Sequence, residues 1–208
     1  MYDIPYLTGG YYEHTLECIK TRHSTRKFKA DQVSREHIDQ VLDAGRRAPS
    51  GGNTQLTHFM VITNQDVLNE LVTLVQEEYG KMPITENTLP YMVNIIKMSA
   101  EGKFVFNYNA PVLIVLASQA NYANNFADVS CAMQNMMLAC NELDLGSCWV
   151  NQIRHLQDNE RIQAKMRELG LKDGEKVYAS LAFGYPDLPN GLNRREIEAK
   201  GYPVTYID

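Results

Sequence analysis

Alternating helical and strand-like segments predict an α/β or α+β fold, one sheet sandwiched by helices. Three observations carry that expectation. Apolar residues recur at helical spacing over 34–48; strand-forming runs stand at 58–63 and 111–117 with a helical pattern between them; and no internal repeat or low-complexity tract interrupts the order. With 208 residues, 44% hydrophobic and 22% charged, the chain can bury a full core as a single domain over 1–208.

The elements follow in order. Ser34 is a competent N-cap, and Ile38, Val41, Leu42 and Gly45 lie on one face of a helix that stops at Pro49. "HFMVIT" (58–63) suits a buried strand, and Asp66 opens a second helix through Leu68, Leu71, Val72 and Val75. Residues 80–109 lose any lasting period and carry Gly80, Pro83, Pro90 and Gly102, which predicts an irregular or short-helix excursion. "PVLIVLA" (111–117) predicts a central strand, and the link "NYANN" leads to a long helix over about 126–143 with Val129, Met133, Met136, Met137 and Cys140 inward. A Met stripe at this spacing is core, since thioethers fill irregular gaps. "LGSCWV" (145–150) is strand-like, a polar helix follows near 158–169, and "VYASLAFGY" (177–185) is the last strand. The tail "RREIEAKGYPVTYID" has no core of its own and must lie on something else, such as another subunit.

Composition excludes several function classes. The formal net charge is -5, which argues against nucleic acid or an anionic membrane as partner, because those need a broad basic face. No apolar run reaches a membrane span, and the first residues lack the order of a signal peptide, so the expected location is the cytoplasm. Cys18, Cys131, Cys140 and Cys148 show no CxxC or Cys/His ligand spacing, so no metal site is expected and the thiols are taken as reduced and structural. His14, His37, His58 and His155 likewise carry no ligand or nucleophile spacing.

Against that acidic background "IKTRHSTRKF" (19–28) gathers five basic side chains around three hydroxyls. In an extended segment Arg22, Ser24 and Arg26 project to one side, and two forked guanidiniums flanking a hydroxyl suit a phosphate. A second segment, "APSGGNTQ" (48–55), sets flexible backbone beside Asn and Gln amides able to read the edge of a flat heterocycle. Either stretch alone fits an ordinary solvated turn. Gln134 and Asn135, on a mostly apolar helix, need partners.

Taken together, four motifs in order make the chain similar to the nitroreductase-family flavoproteins. They are "RHSTRKF", "PSGGNTQ" after the first long helix, "CAMQNMMLACNELDLGSCWV", and "AFGYP" followed by basic residues, spanning about residue 15 to the C-terminus. The resemblance implies a mixed central sheet flanked by helices, in an intertwined homodimer whose C-terminal tails wrap the partner and whose two FMN sites lie at the interface. It implies that Arg22, His23, Ser24 and Arg26 hold the FMN phosphate and ribityl tail, with Arg194 or Arg195 also on the phosphate. Pro49, Ser50, Asn53 and Gln55 would approach from the second subunit, and the backbone of Trp149, Val150, Asn151 and Gln152 would pass near the flavin N5. Two departures stand out: Leu56 and Thr57 occupy positions where the family commonly has Pro-Trp, and Asn151 and Gln152 stand where many relatives have Gly.

The implied activity is reduction of a flat acceptor such as a nitroaromatic, quinone or enone by NADH or NADPH, in a ping-pong cycle through flavin N5. No side chain is then needed as a catalytic acid or base. Residues 80–109, with Tyr91, Phe104, Phe106 and Tyr108, are the expected lid, their aromatics suited to a stacking acceptor. The alternative expectations are a flavin store or sensor of the same fold without efficient turnover, or a purely structural dimer.

Overall fold

The computed structural model describes residues 10–189, 191, 196, 198, 201 and 203–207. The elements are α1 (Gly10–Thr21), α2 (Arg35–Arg46), β1 (His58–Ile62), α3 (Gln65–Gly80), α4 (Pro90–Ala100), β2 (Val112–Gln119), α5 (Asn125–Glu142), β3 (Gly146–Val150), α6 (Gln152–His155), α7 (Glu160–Glu168) and β4 (Glu175–Gly184). Each element expected from the sequence is present within a few residues. The Ser34 hydroxyl accepts from the His37 amide at 3.2 Å to cap α2, while α3 starts one residue before Asp66 because Asn64 accepts from the Asp66 and Val67 amides. Pro90, whose missing N–H costs nothing at a first helical position, opens α4 inside the excursion.

Two helices have no counterpart in the sequence reading. α1 takes in Ile19 to Thr21, so the extended part of the basic stretch begins only at Arg22. Asn141 holds that end in place: its buried amide donates to the Cys18 carbonyl at 3.0 Å and the Thr21 hydroxyl at 3.1 Å. α6 is a single turn after β3, too short to show a period.

The strands form one sheet in the order β1-β2-β4-β3, every neighbouring pair antiparallel. The expected mixed character is confined to an isolated parallel bridge, Ser24 to Ser147, at the outer edge of β3. Central β2 is buried throughout except at Gln119, and its side chains alternate between two cores as the pleat requires. Leu113, Val115 and Ala117 face α3, α6 and α7 with Leu68, Leu71, Ile153, Ile162 and Met166. Val112, Ile114 and Leu116 face α2 and α5 with Ile38, Val41, Met133 and Met136, so the Met stripe is core. The result is the helix–sheet–helix sandwich that the alternation predicted.

The excursion is anchored more deeply than a lid of free aromatics. Phe106 is buried, Phe104 meets Tyr79 edge to face at 6.1 Å and Tyr108 packs half-buried against the same core, which leaves Tyr91 as the exposed one of the four. In this single chain the tail exposes Val204, Tyr206 and Ile207 almost fully.

Candidate functional site

Two elements position the basic segment. α1 ends at Thr21, and the chain then runs extended along the free edge of β3, where the Thr25 amide donates to the Ser147 carbonyl at 2.8 Å. A few residues on, Phe28 bridges Pro186 and the Lys29 amide donates to the Tyr185 carbonyl at 2.9 Å. Thr25 and Phe28 turn inward and are buried, whereas Ser24 is half-buried and Arg26 exposed, the alternation that the spacing predicted.

The donor set is free to meet an anion. Arg22 and Arg26 have no carboxylate partner among the described residues, although Arg35, Arg47 and Arg161 all do. Arg26 instead lies 6.0 Å from the ring centre of Tyr108, whose backbone is left-handed at φ 55°. His23 donates from Nδ1 to the Thr21 carbonyl at 3.2 Å, since a carbonyl can only accept, and this leaves Nε2 as its outward face. Below them sits Cys148: burial pushes its thiol up, against the pull of Arg26 and the Ser24 hydroxyl. The thiol is therefore kept protonated, as befits a structural cysteine.

The 149–152 segment leaves the sheet on this same edge. Val150 is buried, so only its backbone faces outward, and the Trp149 indole packs toward α5 while donating to Asn151 Oδ1 at 2.8 Å. Gln152 Oε1 accepts from the Asn151 amide at 3.1 Å. The two residues at the departure from the family pattern thus close a small network of their own, which sequence spacing does not reveal.

The other signature lies elsewhere. Pro49, Ser50, Asn53 and Gln55 belong to the loop that enters β1 at His58, which pairs with Ala117 and so lies level with Val177. Ser24 joins the sheet at Ser147, level with Phe183 and Val112 at the opposite end and on the opposite edge. Three strand spacings and five residues along β2 separate these entry points, about 22 Å at ~4.8 Å per strand and ~3.3 Å per residue. One chain sets 22–26 beside β3, which leads into 149–152, and keeps Ser24 apart from the loop at 49–55. Of the amides on α5, Asn135 donates to the Ala44 carbonyl at 3.1 Å and Gln134 is exposed. Arg194 and Arg195 lie outside the described residues. Sequence reasoning missed Tyr122 and Asp128, which hold the 49–55 loop; no local pattern marks them.

A family model described as the Nitroreductase family matches residues 19–185. The chain belongs to that family. A family member, the FMN-bound nitroreductase from Bacteroides fragilis, superposes with a TM-score of 0.81 at 27% identity, covering 93% of this chain and 98% of its own. An Archaeoglobus fulgidus protein provisionally named an NADH dehydrogenase/NAD(P)H nitroreductase is 29% identical over 174 residues, 84% of this chain and 86% of its own. An FMN-dependent nitroreductase from Mycobacterium smegmatis in complex with NADPH shares the fold, with a TM-score of 0.67 at 21% identity over 91% of this chain and 96% of its own. Among the described residues no group of His, Cys, Asp and Glu could hold a metal ion, and no helix is long and apolar enough to cross a membrane.

Proposed function

We infer that this chain is an FMN-dependent oxidoreductase that uses NADH or NADPH to reduce a flat acceptor such as a nitroaromatic, quinone or enone. The observation that carries this reading is the cluster of Arg22, Ser24 and Arg26 on the β3 edge, without carboxylate partners and beside the 149–152 backbone. Its chemistry fits the group: two guanidiniums and a hydroxyl match a phosphate, and His23 Nε2 adds a fourth polar contact. When bound, FMN supplies the two-electron chemistry, accepting hydride from the nicotinamide and passing electrons to the acceptor in a ping-pong cycle.

The chain's own part is to bind, orient and shield. Arg22, His23, Ser24 and Arg26 hold the phosphate end, joined by Arg194 or Arg195, and the backbone of Trp149 to Gln152 flanks the ring. Pro49, Ser50, Asn53 and Gln55 come from a second copy, a reading supported by the distance of that loop from the arginines. Exposed Leu16, Ile19, Phe126, Val204, Tyr206 and Ile207 supply apolar surface for a homodimer with the tail laid on the partner. The 80–109 excursion forms the lid, tied to the site through Tyr108.

The visible spectrum of the purified protein, before and after anaerobic NADH or NADPH, tests the reading. Flavin absorbance that bleaches on reductant is expected. A colourless protein that cannot be loaded with FMN overturns it.

A further inference from the structure

We propose that Asp128 and Tyr122 are positioning residues that clamp the 49–57 loop in a strained backbone shape, presenting Asn53 and Gln55 to the flavin and so setting cofactor affinity without touching it. The proposal rests on the FMN reading above.

Backbone strain marks the loop. Gly52, Asn53 and Gln55 all sit in the left-handed region, at φ 60°, 54° and 52°. Residues other than glycine adopt it uncommonly, and such strain persists only where the surroundings over-determine it. Here they do. Asp128, 6% exposed in the first turn of α5, accepts from the Gly51 amide through Oδ1 and from the Tyr122 hydroxyl through Oδ2, each at 3.0 Å. The Tyr122 oxygen also lies 3.0 Å from the Gly51 carbonyl and accepts from the Thr54 hydroxyl at 3.0 Å. Within the loop the Ser50 hydroxyl accepts from the Gln55 amide at 3.0 Å.

A buried carboxylate is costly unless it is well bonded. Asp128 has no cation partner among the described residues; its charge is balanced by the two donors and by the N-terminal turn of an 18-residue helix. The loop packs so closely on the β2–α5 link that a Cβ at Gly51 would stand 2.1 Å from Asn124 Nδ2 and 2.7 Å from the Tyr122 hydroxyl. The side chains of Asn53 and Gln55, by contrast, are exposed and, among the described residues, bonded only to each other, at 3.2 Å. The backbone is fixed while the two amides remain available. That is preorganisation: a loop that visits the competent shape a fraction of the time weakens apparent affinity by that fraction.

The experiment uses full-length Asp128→Ala, Asp128→Asn and Tyr122→Phe. Hydrogen exchange over 49–57 is followed in flavin-free protein, and FMN affinity and the circular dichroism of bound flavin are measured by titration. Asp128→Ala is expected to speed exchange of the loop amides and weaken FMN about tenfold, and Tyr122→Phe about threefold, through the fraction of competent loop. Asp128→Asn keeps an acceptor for the Gly51 amide and restores most of the affinity. Should Asp128→Ala fail to fold, Tyr122→Phe decides by itself: wild-type FMN affinity and dichroism in it overturn the proposal. Wild-type affinity and dichroism in both Asp128→Ala and Tyr122→Phe, with or without faster exchange, overturn the proposal while leaving the FMN reading intact. A wild-type protein that binds no FMN overturns both.

Discussion

Gly146→Ala probes how tightly the anion-binding segment is fitted to the sheet. A Cβ built at Gly146 would lie 2.6 Å from Thr25 Cγ2, 2.7 Å from its Cβ and 2.8 Å from its Oγ1. Gly146 is not left-handed, so its backbone accepts alanine and the cost is steric alone. Thr25 is buried, and because its own Cβ is among the atoms met, no rotation of its side chain relieves the contact. Relief therefore requires residues 24–26 to lift from β3, breaking the 2.8 Å bond from the Thr25 amide to the Ser147 carbonyl. Overpacking costs about 1–3 kcal/mol, and the lost hydrogen bond adds roughly 1 kcal/mol. The sum, about 2–4 kcal/mol, corresponds to a Tm drop of roughly 5–15 °C for a chain of this size. If Ser24 and the two arginines hold the FMN phosphate, losing one charge-assisted contact weakens FMN about 10- to 150-fold. Thermal unfolding and FMN titration read both effects. Leu71→Ala, in the core of the α3 face, is the control: it costs about 2–5 kcal/mol and should leave FMN affinity unchanged. Gly146→Ala with FMN affinity within about twofold of wild type would refute the reasoning.

Three further predictions follow from the same structure. Asn141→Ala removes the donor to the Cys18 carbonyl and Thr21 hydroxyl, and should cost about 1–3 kcal/mol by denaturant unfolding, with faster hydrogen exchange at the end of α1. The Glu78 carboxyl is held below its usual range, first by Lys81 and then by Arg161 and Asn159. Its folded pKa is depressed, so its contribution is present above the ordinary glutamate range and lost as pH falls through the folded value; Glu78→Gln should flatten the acid limb of a stability–pH curve there. Tyr206→Ser with Ile207→Ser removes two tail side chains that are 82% and 95% exposed in the single chain, and should shift a homodimer toward monomer in sedimentation at micromolar concentration.

Much of this protein was written locally. The Ser34 cap, the period of Ile38 and Val41, the apolar run of β2 and the Met stripe of α5 each follow from side chains a few residues apart, and each element formed where its pattern stands. The motifs around Arg22, Pro49 and Trp149 were equally legible, and with them the family, because residue type and spacing are properties of the chain alone. α6 escaped notice because one turn has no period, and α1 because its end is set by Asn141, 120 residues away in sequence from Thr21. Strand order, the antiparallel pairing and the burial of Phe106 were decided by which apolar faces meet across the sheet, a non-local choice that no window of sequence contains. The same packing sent the arginines and the Asn53 loop to opposite corners, and set Asp128 and Tyr122 under that loop. Sequence named the donors; the sheet determined which of them one chain brings together.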